Sequence, residues 1–318
     1  MDRGRGRAER RAASRRAVIV LNPAGGHGRA GRQRPELEWL LKAASARQPS
    51  EDRLEWEIVQ TTAPGAASGI AARCAAEGAD IVAAAGGDGT LNEVLNGLIG
   101  SRATLALLPL GTGNDFSRTV GLYGSLKCAV DTLFTGTPRP IDVGRIAERY
   151  FLNVAGCGFD AVVAERANTG PRWLTGAPAY IYAVLQTLTR FRAAEFRLTI
   201  DGIERTQRAM MCSIANAQTY GGGMRIAPTA RLDDGLFDLC ILAEAGTLEF
   251  VQAFPRVFQG THTTHPKITM LQARHVRIES TPTLPLLIDG EVIGTTPAEF
   301  TLLPSAIEFL FPSPLETR

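Results

Sequence analysis

Residues 80–85, Asp80-Ile81-Val82-Ala83-Ala84-Ala85, run into Gly86-Gly87-Asp88-Gly89-Thr90 and then Leu91-Asn92-Glu93-Val94-Leu95-Asn96-Gly97-Leu98. Leu91, Val94, Leu95 and Leu98 share one helical face, so the spacing predicts a strand, a phosphate-sized loop and a helix. Glycine backbones let N–H groups approach an anion closely, and the helix N-terminus adds partial positive charge at the same point. Nucleotide phosphate is the expected ligand. A lone carboxylate at Asp88 would repel it unless a cation lies between them, so a divalent ion is expected there, held directly or through water. A glycine turn capped by Asp or Thr is the plain alternative.

The elements that must position this loop alternate. Residues 17–21, 54–59, 81–85 and 104–110 are predicted strands, with helices over 35–46 opened by Pro35, after Pro64, and from Leu91. Two further glycine loops follow apolar runs: Asn22-Pro23-Ala24-Gly25-Gly26-His27-Gly28-Arg29-Ala30-Gly31, and Gly111-Thr112-Gly113-Asn114-Asp115. The order implies a Rossmann-like α/β domain over residues 17–138, with an open, mostly parallel sheet. Ligands of such sheets bind beyond the C-terminal strand ends, so all three loops are expected along one rim. From about residue 139 the pattern changes to short strands, with Asp201-Gly202 and Asp289-Gly290 as hairpin turns. An antiparallel β-sandwich-like domain is expected over 139–300, with helices near 173–189 and 247–258. Residues 301–318 are expected to return to the first domain, and the active site to lie in the interdomain cleft.

The chain has 318 residues, 45% of them hydrophobic, enough for two packed domains. Net charge is +2, yet residues 1–16 carry seven arginines against Asp2 and Glu9, leaving the remainder mildly acidic. That tail is expected to be a solvated, disordered arm, with weak attraction to anionic lipid as the functional alternative. No apolar run approaches the roughly 18 residues of a membrane span, and no signal-peptide core follows the arginines. A cytoplasmic protein is expected, with no nucleic-acid partner. Cys74, Cys128, Cys157, Cys212 and Cys240 are dispersed and without a C-x-x-C pair, which points to reduced, buried thiols.

Neither standard nucleotide fingerprint accounts for the three loops. Gly26, Gly28 and Gly31 match G-x-G-x-x-G, but no acidic residue closes the second strand, which ends Val59-Gln60-Thr61-Thr62. No G-x-x-x-x-G-K-[ST] pattern occurs. The ordered set formed by Asn22-Pro23, the Gly86–Glu93 run, Gly111-Thr112-Gly113-Asn114-Asp115-Phe116, Asp233-Asp234-Gly235-Leu236-Phe237-Asp238 and Asp289-Gly290-Glu291 instead resembles the diacylglycerol kinase catalytic-domain family. It is most similar to the soluble bacterial lipid kinases, which are related to sphingosine and ceramide kinases. The resemblance covers nearly the whole chain from Ala17.

That resemblance implies an ATP- and Mg²⁺-dependent kinase phosphorylating a lipid hydroxyl, with diacylglycerol the leading acceptor. It implies ATP contacts from Asn22, Pro23, Ala24, Gly25, Gly26, Thr61, Gly86, Gly87, Asp88, Gly89, Thr90, Leu91, Asn92 and Thr112. Asp88 and Asp115 would hold the catalytic Mg²⁺, Asp289 would be the general base, and Glu291 would orient it or the metal. A structural Mg²⁺ would be held by Asp234 and the carbonyls of Arg231 and Leu236. Relatives often carry a lysine where His27 stands, so Arg29 and Arg32 are the candidates to supply that charge. The partner implied is a lipid at a membrane surface, met by peripheral contact alone. Oligomeric state stays open, a homodimer included.

Rival readings are an NAD kinase, which shares the glycine loop and the two-domain plan, and a catalytically silent nucleotide- or lipid-binding relative. His262 and His265 have the look of a metal pair but lack a third ligand. The apolar helix holding Trp173, Leu174, Tyr180 and Tyr182 is expected to be core, with an acyl-chain groove as the alternative.

Overall fold

Short runs of Val, Ile, Leu and Ala, too apolar to face water on either side, build the first sheet. In the computed structural model, which describes residues 15–49, 53–169 and 177–313, these are β1 (Arg15–Leu21), β3 (Ile81–Gly86) and β4 (Thr104–Pro109), joined by the alternating, half-exposed edge strand β2 (Leu54–Gln60). They lie parallel in the order β2-β1-β3-β4. Between them run α1 (Gly25–Ser45), α2 (Ala66–Ala76) and α3 (Asp88–Leu98), followed by α4 (Asp115–Thr119) and α5 (Leu126–Thr135). The arginine-rich stretch through residue 14 and the Trp173-Leu174 pair lie outside the described residues. Arg15 and Arg16, assigned to the tail by sequence, belong to β1, where Arg16 pairs with Glu57 at 2.6 Å.

Helix α1 corrects a second expectation. It starts ten residues before Pro35 and carries that proline in its interior. Gly26, His27 and Gly28 interrupt it with left-handed backbone, and regular helix follows. Leu37, Leu40, Leu41 and Ala44 are buried, and that packing outweighs the hydrogen bond lost at Pro35.

The second part is antiparallel. Its strands are β5 (Thr137–Ile146), β6 (Arg149–Phe151), β7 (Val154–Gly158), β8 (Ala194–Ile200), β9 (Ile203–Ala215), β10 (Phe237–Ala243), β11 (Ile268–Ala273), β12 (His275–Thr281), β13 (Pro285–Ile288), β14 (Glu291–Thr295) and β15 (Ala298–Phe311). Helices α6 (Phe159–Thr169), α7 (Ala177–Leu188), α8 (Thr247–Ala253) and α9 (Arg256–Gln259), with a 3₁₀ turn at Thr261–Thr264, cover one face. Both Asp-Gly pairs are two-residue turns with positive φ at each position, 47° and 83° at Asp201-Gly202 and 45° and 89° at Asp289-Gly290.

The two parts share one sheet. Its path runs β14-β13-β7-β9-β8-β12-β15 and continues into β4, where Phe309 pairs in parallel with Leu105. β15 also lies along nearly all of β5. Buried Asp142 on β5 fastens this junction, accepting from Ser305 N (2.8 Å) at a bulge in β15 and from Gly235 N (2.7 Å) in the turn before β10. Asp142→Ala strands both donors and is expected to lower stability by about 2–4 kcal/mol, read as a shift in urea midpoint at unchanged slope. No helix among the described residues is long and apolar enough to cross a membrane. The cysteines are free thiols, four of them buried.

Candidate active site

The three glycine loops meet at the C-terminal ends of β1, β3 and β4. A Cβ added to Gly26 would stand 3.1 Å from Leu110 O and 3.3 Å from Gly111 Cα, and one added to Gly111 would overlap Gly87 Cα. Only glycine permits backbones this close. Asn22 locks the first loop to the second, donating from Nδ2 to Thr90 Oγ1 (3.1 Å) while its Oδ1 accepts from Ala24 N. Asn114, at φ 51°, closes the third loop through both ends of its amide, each bonded to Gly111 backbone. Thr61 lies buried at the end of β2, its N–H on Leu21 O, and Thr112 is exposed on the rim.

Asp88 opens α3 and also caps the next helix. Its two oxygens accept from Asp115 N and Phe116 N, each at 3.0 Å, at the start of α4. The carboxylate therefore has backbone partners as well as any cation, so the simple repulsion inferred from sequence is eased by two N–H dipoles. Asp115, almost fully buried, accepts from Gly222 N (2.8 Å) and Gly223 N (2.7 Å), with Arg118 Nε 3.8 Å away. Burial, then the charge of Asp88, raise its pKa to about 6 against those donors.

Asp88 and Asp115 converge on one gap. A Cβ at Gly113 would lie 3.3 Å from an Asp88 oxygen and 3.6 Å from an Asp115 oxygen. Two carboxylates that repel one another beside a phosphate-sized loop fit Mg²⁺, which takes one or two protein carboxylates and fills its shell with phosphate and water. Among the described residues no group of three or more His, Cys, Asp or Glu side chains is assembled for a metal.

Asp289 reaches the same cleft from the other lobe. Its Oδ1 accepts from Asn153 N and Val154 N, and its Oδ2 from Leu152 N and from Asn92 Nδ2 at 2.9 Å. Asn92 stands four residues after Asp88, one helical turn along α3, so both side chains face the cleft. The residue retains partial exposure, but its carboxyl lies deep enough for burial to raise its pKa to about 6, with Asp88 adding to the rise and the hydrogen bonds from Leu152, Asn92 and Asn153 opposing it. Asn96 continues the ladder, exchanging hydrogen bonds with the backbone of Tyr150.

Other sequence candidates are placed less centrally. Glu291 is exposed, 3.3 Å from Arg149 Nη1, with no hydrogen bond to Asp289. Arg231, Asp234 and Leu236 share one turn, in which Asp234 Oδ1 accepts from Leu236 N (3.1 Å). Burial raises the pKa of nearby Asp238, and the charge of Asp234 adds to it, which a cation in the turn would relieve. His27 is exposed at φ 56°, Arg29 bonds Gln33, and Arg32 bonds the carbonyl of His27. His262 is buried with Nε2 3.1 Å from Ile226 O, and His265 lies 3.7 Å from Glu249.

Beside the cleft lies an apolar pocket of about 700 Å³, counting its open mouth, with Phe159, Asp160, Val184, Phe250 and Phe254 in its wall. Tyr220 and Met224 line it too. They bracket the hairpin whose Gly222 and Gly223 hold Asp115, so pocket and glycine loops share a wall.

Sequence inspection missed that hairpin, although Gly221-Gly222-Gly223 is a visible signal. It also missed the cross-lobe role of Asn96 and the function of Glu93, which accepts from Gly65 N and Ala67 N and so caps α2.

Residues 16–146 match the family model described as the diacylglycerol kinase catalytic domain. Residues 153–311 match the one described as the YegS C-terminal NAD kinase beta sandwich-like domain. A diacylglycerol kinase of Mycobacterium tuberculosis is 32% identical over 306 residues, covering 93% of this chain and 95% of its own. One of Bacillus subtilis is 32% identical over 301 residues, covering 94% and 97%. A crystal structure of a Bacillus anthracis diacylglycerol kinase shares the fold at a TM-score of 0.71 and 24% identity, covering 94% of this chain and 97% of that one.

Proposed function

The chain belongs to the diacylglycerol kinase family and is a lipid kinase, and from that premise we propose that it transfers the γ-phosphoryl group of ATP to a lipid hydroxyl, with Mg²⁺, at the cleft joining α3 to Asp289. The observation that carries this reading is the hydrogen bond from Asn92 to Asp289, which ties the carboxylate of one lobe to the helix opened by the phosphate loop of the other. Diacylglycerol is the acceptor to which the names of the relatives point.

Phosphoryl transfer needs in-line placement and neutralised charge more than covalent help from the protein. The backbone of the three glycine loops and the α3 N-terminus would cradle the phosphates. Asp88 and Asp115 would hold Mg²⁺, which when bound supplies charge neutralisation at the phosphates. Asp289 would take the proton of the lipid hydroxyl as the hydroxyl oxygen bonds the γ-phosphorus and the bond from that phosphorus to the β-bridging oxygen breaks, releasing ADP. A carboxylate with a pKa near 6 suits that task at neutral pH, being ionised yet more basic than a solvated one.

A base must be unprotonated, so turnover is expected to rise as pH climbs through about 6 and to level above 7. Asp115 titrates in the same range, and an Asp289→Asn variant separates the two because any limb that survives belongs to Asp115. The deciding assay follows radiolabelled phosphate from ATP into a panel of mixed-micelle lipids, with NAD⁺ alongside. A labelled lipid supports the proposal, whereas label in NAD⁺ alone refutes it.

A further inference from the structure

Large apolar side chains on the surface are concentrated on three helices. Tyr182 and Leu185 on α7, Leu248 (71% exposed) and Val251 on α8, and Phe258 (45%) on α9 all face water. The same helices wall the apolar pocket from its other side through Val184, Phe250 and Val257. A ladder of rings joins surface to interior: Phe258 to Phe254 at 5.9 Å, Phe254 to Phe250 at 5.7 Å, and Phe250 to buried Phe159 at 4.8 Å. Phe250 on α8, Phe254 at the turn that closes it and Phe258 on α9 follow one another at four-residue steps across the junction of the two helices.

We propose that this face of α7, α8 and α9 docks on the surface of an anionic phospholipid bilayer, and that the aromatic ladder is the apolar path by which chains pass into the pocket. An interface with another protein needs no apolar path leading inward, whereas a chain leaving a bilayer gains from one that spares it contact with water. Charge agrees. Helix α7 carries no charged side chain from Ala177 to Leu188. The one acid of α8, Glu249, is matched by Lys267 Nζ at 2.5 Å. Arg190, exposed just past the end of α7, offers a cation to lipid phosphates, while Arg256 is held by Thr261 O and Thr264 Oγ1. Trp39 on α1 (67% exposed) is of similar character but belongs to no such row of rings among the described residues.

This inference rests on the lipid-kinase reading for its purpose but is measured without turnover. Full-length protein is cosedimented with vesicles of phosphatidylcholine doped with phosphatidylglycerol, without ATP. The pair Leu248→Glu plus Phe258→Glu is expected to lower partitioning at least about tenfold, with the thermal midpoint and ATP affinity kept, while Trp39→Glu partitions like wild type. Wild-type protein that ignores the vesicles overturns the proposal, as does a double variant that still binds them. So does a double variant whose only change is loss of a dimer in sedimentation, since the face would then belong to a second copy. A kinase assay in which no lipid is labelled would remove the functional proposal and leave the partitioning result standing.

Discussion

Asp289→Asn is expected to cut turnover by roughly 10² to 10⁴, the usual worth of a positioned general base, with nucleotide affinity nearly unchanged. The separation of effects follows from geometry. Asp289 sits on a hairpin of the β lobe and among the described residues is hydrogen-bonded to the nucleotide side through Asn92, whereas the first glycine loop is fastened to the second by Asn22 and Thr90, and the second to the start of α4 by Asp88. Asparagine retains one oxygen for the N–H groups of Asn153 and Val154 but turns an NH₂ toward those of Leu152 and Asn92. A stability loss of about 1–3 kcal/mol is therefore expected alongside the kinetic defect. Single-turnover transfer from radiolabelled ATP, a nucleotide titration and a thermal melt separate the three quantities. Near-normal turnover would take Asp289 out of the mechanism, and a lost fold would show in the melt. The low-pH limb of the wild-type rate profile should flatten in the same variant.

The α/β half was legible because its signals are local. Buried strands of five to seven residues ending in glycine have few alternative readings, and the two Asp-Gly turns announce hairpins through their backbone preference alone. Helix α1 was misjudged at its start because a proline usually marks a first turn, and the burial of Leu37, Leu40 and Leu41 that overrides this is a tertiary fact. Single-sheet continuity was likewise out of reach: the pairing of Phe309 with Leu105 spans some 200 residues, and nothing in either strand names its partner.

The candidate site was legible in its residue types and not in its bonding. Asp88, Asp115 and Asp289 stand out as carboxylates in glycine-bearing turns. That Asp88 caps α4, that Asp115 holds a glycine hairpin 107 positions away, and that Asp289 lies in a nest of strand N–H groups depends on which backbone donors the fold leaves unpaired. Sequence shows the acid and not the donors. Glu291 illustrates the converse, since it opens β14 on the far side of the Asp289-Gly290 turn and its side chain is exposed beside Arg149.

The largest effect on nucleotide affinity is expected from Gly111→Ala, a change that adds one methyl group and removes no hydrogen-bonding atom. Its Cβ would overlap Gly87 Cα and stand 2.7 Å from Asn114 Oδ1. Neither neighbour can yield cheaply. Gly87 is the N-cap of α3, and shifting it moves the helix end on which the phosphates are expected to rest. Asn114 is held at both ends of its amide by the backbone of residue 111, and it immediately precedes Asp115 in α4. Overpacking of this kind commonly costs about 1–3 kcal/mol, a range that spans roughly fivefold to more than a hundredfold in a binding constant. ATP affinity by calorimetry should fall within that range. The cost should also appear in the thermal midpoint, because the clash exists without ligand. A control at Gly89, whose added Cβ meets no protein atom within 4 Å, separates the clash from the mere loss of a loop glycine: Gly89→Ala should keep the midpoint close to wild type. If Gly111→Ala binds ATP normally, the β3 and β4 loops do not form one phosphate cradle, and the nucleotide must be sought elsewhere on the rim.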